Sequence, residues 1–269
     1  MSWAQGENHR GGRVLNRLRV AGAALSFCFV VLPSCNLLKP APPAAEDVVL
    51  QSQYLTAILK LPEQYDSSKT YPLLVALHGN GGTSASFAPL FSSIARASVL
   101  VAVPQGEYRK PAGGYSWFYE TSDRSLWEAY DTRSVDGVVA LISDIRARYP
   151  IGNVFVLGFS QGVSLAYMTG LRNPSLVSGI LAISGYLPEI DREGSIVHAQ
   201  DVANARNVEI FVARGASDSL VSRQAYTAQR DYLVTNGYSV TEFEFAGAHY
   251  LTEDLLFRVL QWLKEQPGG

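Results

Sequence analysis

Cysteine is almost missing from the 269-residue chain: Cys28 and Cys35 are the only two, and both lie near the N-terminus. The remainder has neither a disulfide framework nor a Cys-based metal site. Histidine is scarce too, and His9, His78, His198 and His249 include no pair at the H-x-x-x-H spacing. Metal catalysis has little support, and no cofactor is expected. There is no Lys/Arg run outside the N-terminal stretch, where Arg10, Arg13, Arg17 and Arg19 stand against Glu7 alone; residues 36–269 hold 18 basic and 23 acidic residues. A nucleic-acid phosphate backbone would meet a mildly acidic surface, so nucleic acid is excluded as a partner. The longest apolar run, Val20 to Leu32, has 13 residues broken by Ser26, too short for a membrane-spanning helix.

What is present begins with an export signal. Arginines, the apolar run and then Pro33-Ser34-Cys35 have the layout of a signal peptide over residues 1–34. Leu32-Pro33-Ser34-Cys35 looks like a bacterial lipobox, with Cys35 as lipidated mature N-terminus, which predicts an exported lipoprotein tethered to the cell envelope through its lipid anchor. Residues 35–47, rich in Pro and Ala, read as an extended spacer.

Residues 48–269 then alternate in period, and a composition of 47% hydrophobic and 17% charged residues suits one sizeable core. Tyr54–Leu61, Leu73–Leu77, Val99–Val103, Val154–Leu157, Ile180–Ile183 and Val208–Ala213 read as strands, most of them buried on both faces. Helix-like stretches fall at 84–97, 135–148, 161–172, 222–235 and 251–265. Strand and helix in turn predict an α/β fold with a mostly parallel central sheet and helices on both faces. In such a sheet, reactive groups gather at the carboxyl ends of the strands.

One such end carries Gly158-Phe159-Ser160-Gln161-Gly162, a strand, a glycine-flanked corner and a helix. A serine at so sharp a corner is a candidate nucleophile, with glycines removing the side chains that would collide there. It needs a base. His249, in Ala246-Gly247-Ala248-His249 after the last strand, suits that role better than His198, which sits in a polar, surface-like stretch. Asp218, reached from the strand Val208–Ala213 through Arg214-Gly215-Ala216-Ser217, is the candidate carboxylate that fixes the base's tautomer. The order Ser160, Asp218, His249 is that of nucleophile, acid and base in α/β-hydrolases. Leu77-His78-Gly79-Asn80-Gly81-Gly82 follows another strand and can aim backbone N–H groups inward; Asn80 and Gln161 are the candidate oxyanion donors, with His78 bracing the loop.

With these pieces in place, residues 54–265 resemble the phospholipase/carboxylesterase and acyl-protein thioesterase group of α/β-hydrolases. The matching pieces are Leu77-His78-Gly79, Gly158 to Gly162, Ser184-Gly185-Tyr186-Leu187-Pro188, Gly215 to Asp218 with Val221, and Gly247-Ala248-His249. The resemblance implies an α/β-hydrolase fold, activity on esters or thioesters of small to medium acyl groups, and the same oxyanion pair. It also implies an aromatic segment, Tyr115 to Phe118, near the pocket, so that Trp117 and Leu187 become candidate substrate-pocket residues. Asn80 and Gly81 depart from the thioesterase branch. The expected activity is therefore a serine carboxylesterase acting on a small-molecule ester through an acyl-enzyme. A thioesterase or peptidase on the same triad, and a non-catalytic lipoprotein of this fold, are the alternatives.

Overall fold

The computed structural model describes residues 47–266; the leader read at 1–34, Cys35 and the spacer up to residue 46 lie outside the described residues. The described chain runs β1 (Val48–Gln51), β2 (Thr56–Lys60), β3 (Tyr71–Leu77), α1 (Ser84–Phe87), α2 (Ser92–Arg96), β4 (Leu100–Pro104), β5 (Tyr108–Arg109) and β6 (Tyr115–Ser116). It continues through α3 (Trp127–Arg146), β7 (Ile151–Phe159), α4 (Gln161–Arg172), β8 (Gly179–Ile183), α5 (Ala199–Asn204), β9 (Glu209–Gly215), α6 (Arg223–Thr235), β10 (Val240–Phe245) and α7 (Glu253–Glu265).

Eight strands form one sheet in the order β1-β2-β4-β3-β7-β8-β9-β10, and β5 pairs with β6 as a separate hairpin. β1 and β2 are antiparallel to their neighbours, and the six strands from β4 to β10 in that order run parallel. The continuous apolar runs are explained by burial on both faces. On one side, Leu73, Val75, Leu77, Val154 and Val156 pack with Val138 and Leu141 of α3, Leu165 of α4 and Leu233 of α6. On the other, Leu74, Ala76, Phe155 and Leu157 pack with Phe91, Ile94 of α2, and Leu255, Val259 and Trp262 of α7. Each leucine so buried contributes about 1.5–3 kcal/mol.

Three expectations change in the structure. The helix read at 84–97 is broken into α1, a 3-10 turn over Ala88–Phe91 and α2; Pro89 has no N–H to continue an α-helical ladder. The helix read at 135–148 begins earlier, at Trp127. The polar stretch 191–206 contains α5, whose N-cap is His198.

Candidate active site

Ser160 joins the end of β7 to the start of α4 with φ 54° and ψ −118°. Such a conformation costs a non-glycine residue about 1–3 kcal/mol and persists only where the surroundings impose it. Here they do: the Ser160 N–H donates to Ile183 O at 3.0 Å, beside β8. A Cβ at Gly162 would lie 2.5 Å from the Leu77 carbonyl oxygen, and one at Gly158 would run into the Gly162 carbonyl. Both glycines are required by close backbone approach. Although Ser160 occupies the N-cap position of α4, its hydroxyl caps nothing.

That hydroxyl instead lies 2.9 Å from His249 Nε2, and His249 Nδ1 lies 2.9 Å from Asp218 Oδ2. His249 does not cap α7, since Thr252 fills that place and accepts from the Leu255 N–H. Asp218 Oδ1 accepts from the N–H groups of Leu220 and Val221, both at 2.9 Å, so each carboxylate oxygen has a defined task. Burial pushes the Asp218 pKa up, but the Val221 N–H, the His249 ring, the Ser184 hydroxyl and the Leu220 N–H outweigh it and hold the carboxyl below its ordinary value. An ionised Asp218 takes the Nδ1–H of His249 and leaves Nε2 as the acceptor facing Ser160. The loop carrying Asp218 is clamped by the buried Arg214, which donates to Val221 O at 2.7 Å and Asp218 O at 2.9 Å. Sequence reasoning passed over Arg214, though an arginine ending an apolar strand was the available signal.

The Asn80 and Gln161 N–H groups have no hydrogen-bond partner among the described residues. Their loops meet: a Cβ on Gly79 would stand 3.2 Å from Ser160 Cβ. His78 is buried, with Nδ1 2.8 Å from Gly79 O, while Nε2 accepts from the Gly106 N–H at 3.1 Å. This is a neutral imidazole holding two loops together, and burial pushes its pKa down.

Trp117 requires a correction. It is 1% exposed, donates from Nε1 to His78 O at 2.7 Å and packs on the His78 ring, so it supports the loop and cannot line a pocket. Its successor Phe118 lines a cavity that runs along α4. Leu187 is half-buried, with its N–H donating to Gln229 Oε1 at 3.0 Å, and its neighbours Pro188 and Glu189 line the cavity along α4. The Gln161 side chain, unassigned from sequence, accepts from the Trp117 N–H at 3.1 Å and donates to Ser116 Oγ at 3.0 Å. His198 is exposed, 3.2 Å from Asp191, and serves as the N-cap of α5.

Known proteins resemble this chain. A probable carboxylesterase of Oryza sativa subsp. japonica is 30% identical over 134 residues, 49% of this chain and 49% of the relative. Acyl-protein thioesterase 1 of Yarrowia lipolytica is 25% identical over 123 residues, 44% of this chain and 52% of the relative. These matches thus span about half the length of each relative. The crystal structure of a carboxylesterase from Mesorhizobium loti superposes with a TM-score of 0.65 at 17% identity, covering 82% of this chain and 99% of that one, and shares its α/β-hydrolase fold. Residues 51–254 match the model of the family described as putative esterase, a span that takes in every strand from β2 to β10 together with Ser160, Asp218 and His249, and the chain belongs to that family.

Proposed function

We propose that the chain is a serine hydrolase that cleaves carboxylic esters of small to medium acyl groups. The observation that carries this reading is the unbroken line of hydrogen bonds from Asp218 Oδ2 through His249 to Ser160 Oγ, at 2.9 Å each, beside two unpartnered backbone N–H groups. In the reaction, His249 Nε2 takes the Ser160 proton as Oγ attacks the ester carbonyl carbon. The oxygen that gains charge is received by the Asn80 and Gln161 N–H groups, an electrostatic contribution of about 3–4 kcal/mol per donor where one has been removed from such a hole. The tetrahedral species collapses, the C–O bond to the alcohol breaks, and His249 returns its proton to the leaving oxygen. Water, deprotonated by His249, then attacks the acyl-enzyme and frees the acid and Ser160.

Hydrolysis of p-nitrophenyl butyrate, with labelling of Ser160 by a fluorophosphonate, tests the assignment. Turnover and labelling are both expected in the parent protein and both absent in Ser160→Ala; undiminished turnover in that variant would sink the proposal. Thioester cleavage on the same residues is the second reading, favoured by the names of relatives such as acyl-protein thioesterase 1. Acyl-matched ester, thioester and amide substrates separate the readings. The sequence at Leu32 to Cys35 further supports a lipidated Cys35 that tethers the enzyme to a membrane, and Cys35→Ser should release it to the soluble fraction.

A further inference from the structure

A cavity of about 270 Å³ opens along α4, lined among others by Phe118, Tyr119, Trp127, Tyr130, Asp131 and Glu193. Three of its walls are tied to the Ser160 corner, and Trp127, Tyr130 and Asp131 of α3 with residues 193–195 complete it. Ser164 and Met168, one and two turns down α4 from Ser160, form its floor, beginning about 6 Å along the helix axis from that serine. Phe118 follows Trp117, whose N–H is held by Gln161. Pro188 and Glu189 continue the loop through Gly185 and Tyr186, where a Cβ on Gly185 would strike the Ser160 carbonyl and Tyr186 O accepts from Ser164. The cavity is therefore placed to hold a part of the substrate remote from the scissile bond.

Its chemistry is lopsided. Among the described residues no lysine, arginine or histidine lines it, while Glu120, Asp131, Glu189 and Glu193 do. Two of these are already paired, Glu120 with Lys110 and Glu189 with Arg124. The carboxylates of Asp131 and Glu193 have no ion-pair or hydrogen-bond partner among the described residues; Asp131 is half-buried, and Glu193 stands exposed at the rim. The remaining lining is aromatic: Tyr119 and Tyr130 stack at 4.4 Å, and Trp127 already carries the Arg124 guanidinium 4.7 Å from its ring centre. Aromatic faces attract cations, and the attraction grows where water is excluded. A desolvated carboxylate without a partner is costly and is relieved by a bound positive charge.

We propose that this cavity is a subsite for an ammonium group, so that the enzyme selects esters bearing a small organic cation over neutral or anionic ones. The inference rests on the hydrolase reading for its connection to turnover, and on the cavity alone for binding. An anionic group would face Asp131 and Glu193 with no compensating charge. A neutral group would fill the aromatic walls and leave the half-buried Asp131 carboxylate unpaired.

Calorimetry on the full chain carrying Ser160→Ala, with benzyltrimethylammonium and with benzyl alcohol as probes, reports the subsite even if no ester is cleaved. The cation should bind at least tenfold more tightly than the alcohol, and Asp131→Asn combined with Glu193→Gln should remove that preference. A preference below tenfold, or one that survives both substitutions, overturns the proposal. Loss of p-nitrophenyl butyrate turnover bears on the hydrolase reading separately. With Ser160 intact, choline butyrate should exceed its isostere 3,3-dimethylbutyl butyrate in kcat/KM by a similar factor.

Discussion

Asp218 shows how much a single carboxylate decides here. Its Oδ1 fixes the turn through Leu220 and Val221, and its Oδ2 sets the tautomer of His249. Asp218→Asn keeps the shape but can donate to Nδ1, which turns the wrong nitrogen toward Ser160; turnover of p-nitrophenyl butyrate should fall on the order of 10⁴-fold, the cost of the same exchange in serine proteases. Circular dichroism should show the fold unchanged. Asp131 behaves in the opposite sense. Burial pushes its carboxyl up to about 6. Between the unfolded value of about 3.9 and that figure, the folded chain binds more protons than the unfolded one, so its stability falls as pH rises. Asp131→Asn should raise the urea midpoint at pH 7, with the difference closing below pH about 4; an equal gain at both pH values would argue against titration as the cause. These roles differed in legibility. Ser160, Asp218 and His249 could be picked out because each follows a strand end in a fixed order. Asp131 could not, since nothing local distinguishes a carboxylate on the cavity side of α3 from one facing water.

Elements were readable where burial imposed a period. β3, β4, β7, β8 and β9 are continuous apolar runs because both their faces are covered, and α4 starts and stops where its glycine corner and apolar spacing indicate. Short elements at the margin were not readable. β1 follows directly on a Pro/Ala-rich stretch and buries one of its four residues, while the β5–β6 hairpin has two residues in each strand. Trp117 and Phe118 follow β6 in a bend, where no strand or helix period says which ring is buried. Trp117 turns into the core and Phe118 into the cavity, and an aromatic pair in sequence does not say which is which. Gln161 binds this segment to the nucleophile's helix. Gln161→Ala leaves its backbone N–H in place but strips the Trp117 N–H of its acceptor, an unsatisfied group costing about 1–3 kcal/mol. Unfolding in urea should report that loss. Fluorophosphonate labelling of Ser160 should persist, with kcat/KM reduced about tenfold by the loosened cavity wall.

Across the whole molecule, one sheet serves as a common base for loops drawn from distant parts of the chain. The loops after β3, β7, β9 and β10 bring Asn80, Ser160, Asp218 and His249 to the same edge. Helices α2 and α7 close the face beneath, where Trp262 packs edge-on to Phe155 and tilted on Phe211. Trp262→Ala should lower the unfolding free energy by about 3–5 kcal/mol without moving the loops above, so thermal stability should drop far more than kcat at 25 °C. The glycines make a different point. At Gly158, Gly162 and Gly185 an added Cβ meets a carbonyl oxygen, and backbone cannot swing aside as a side chain can. The cavity walls at 118–131 and 188–195 meet such a barrier at Gly194, whose added Cβ would lie 2.7 Å from Arg124 O, but much of the rest of their surface faces solvent. Inheritance therefore has unequal freedom in this chain: the bond-breaking corner is closed to drift, while the choice of what is broken can wander through two loops at little risk to the rest.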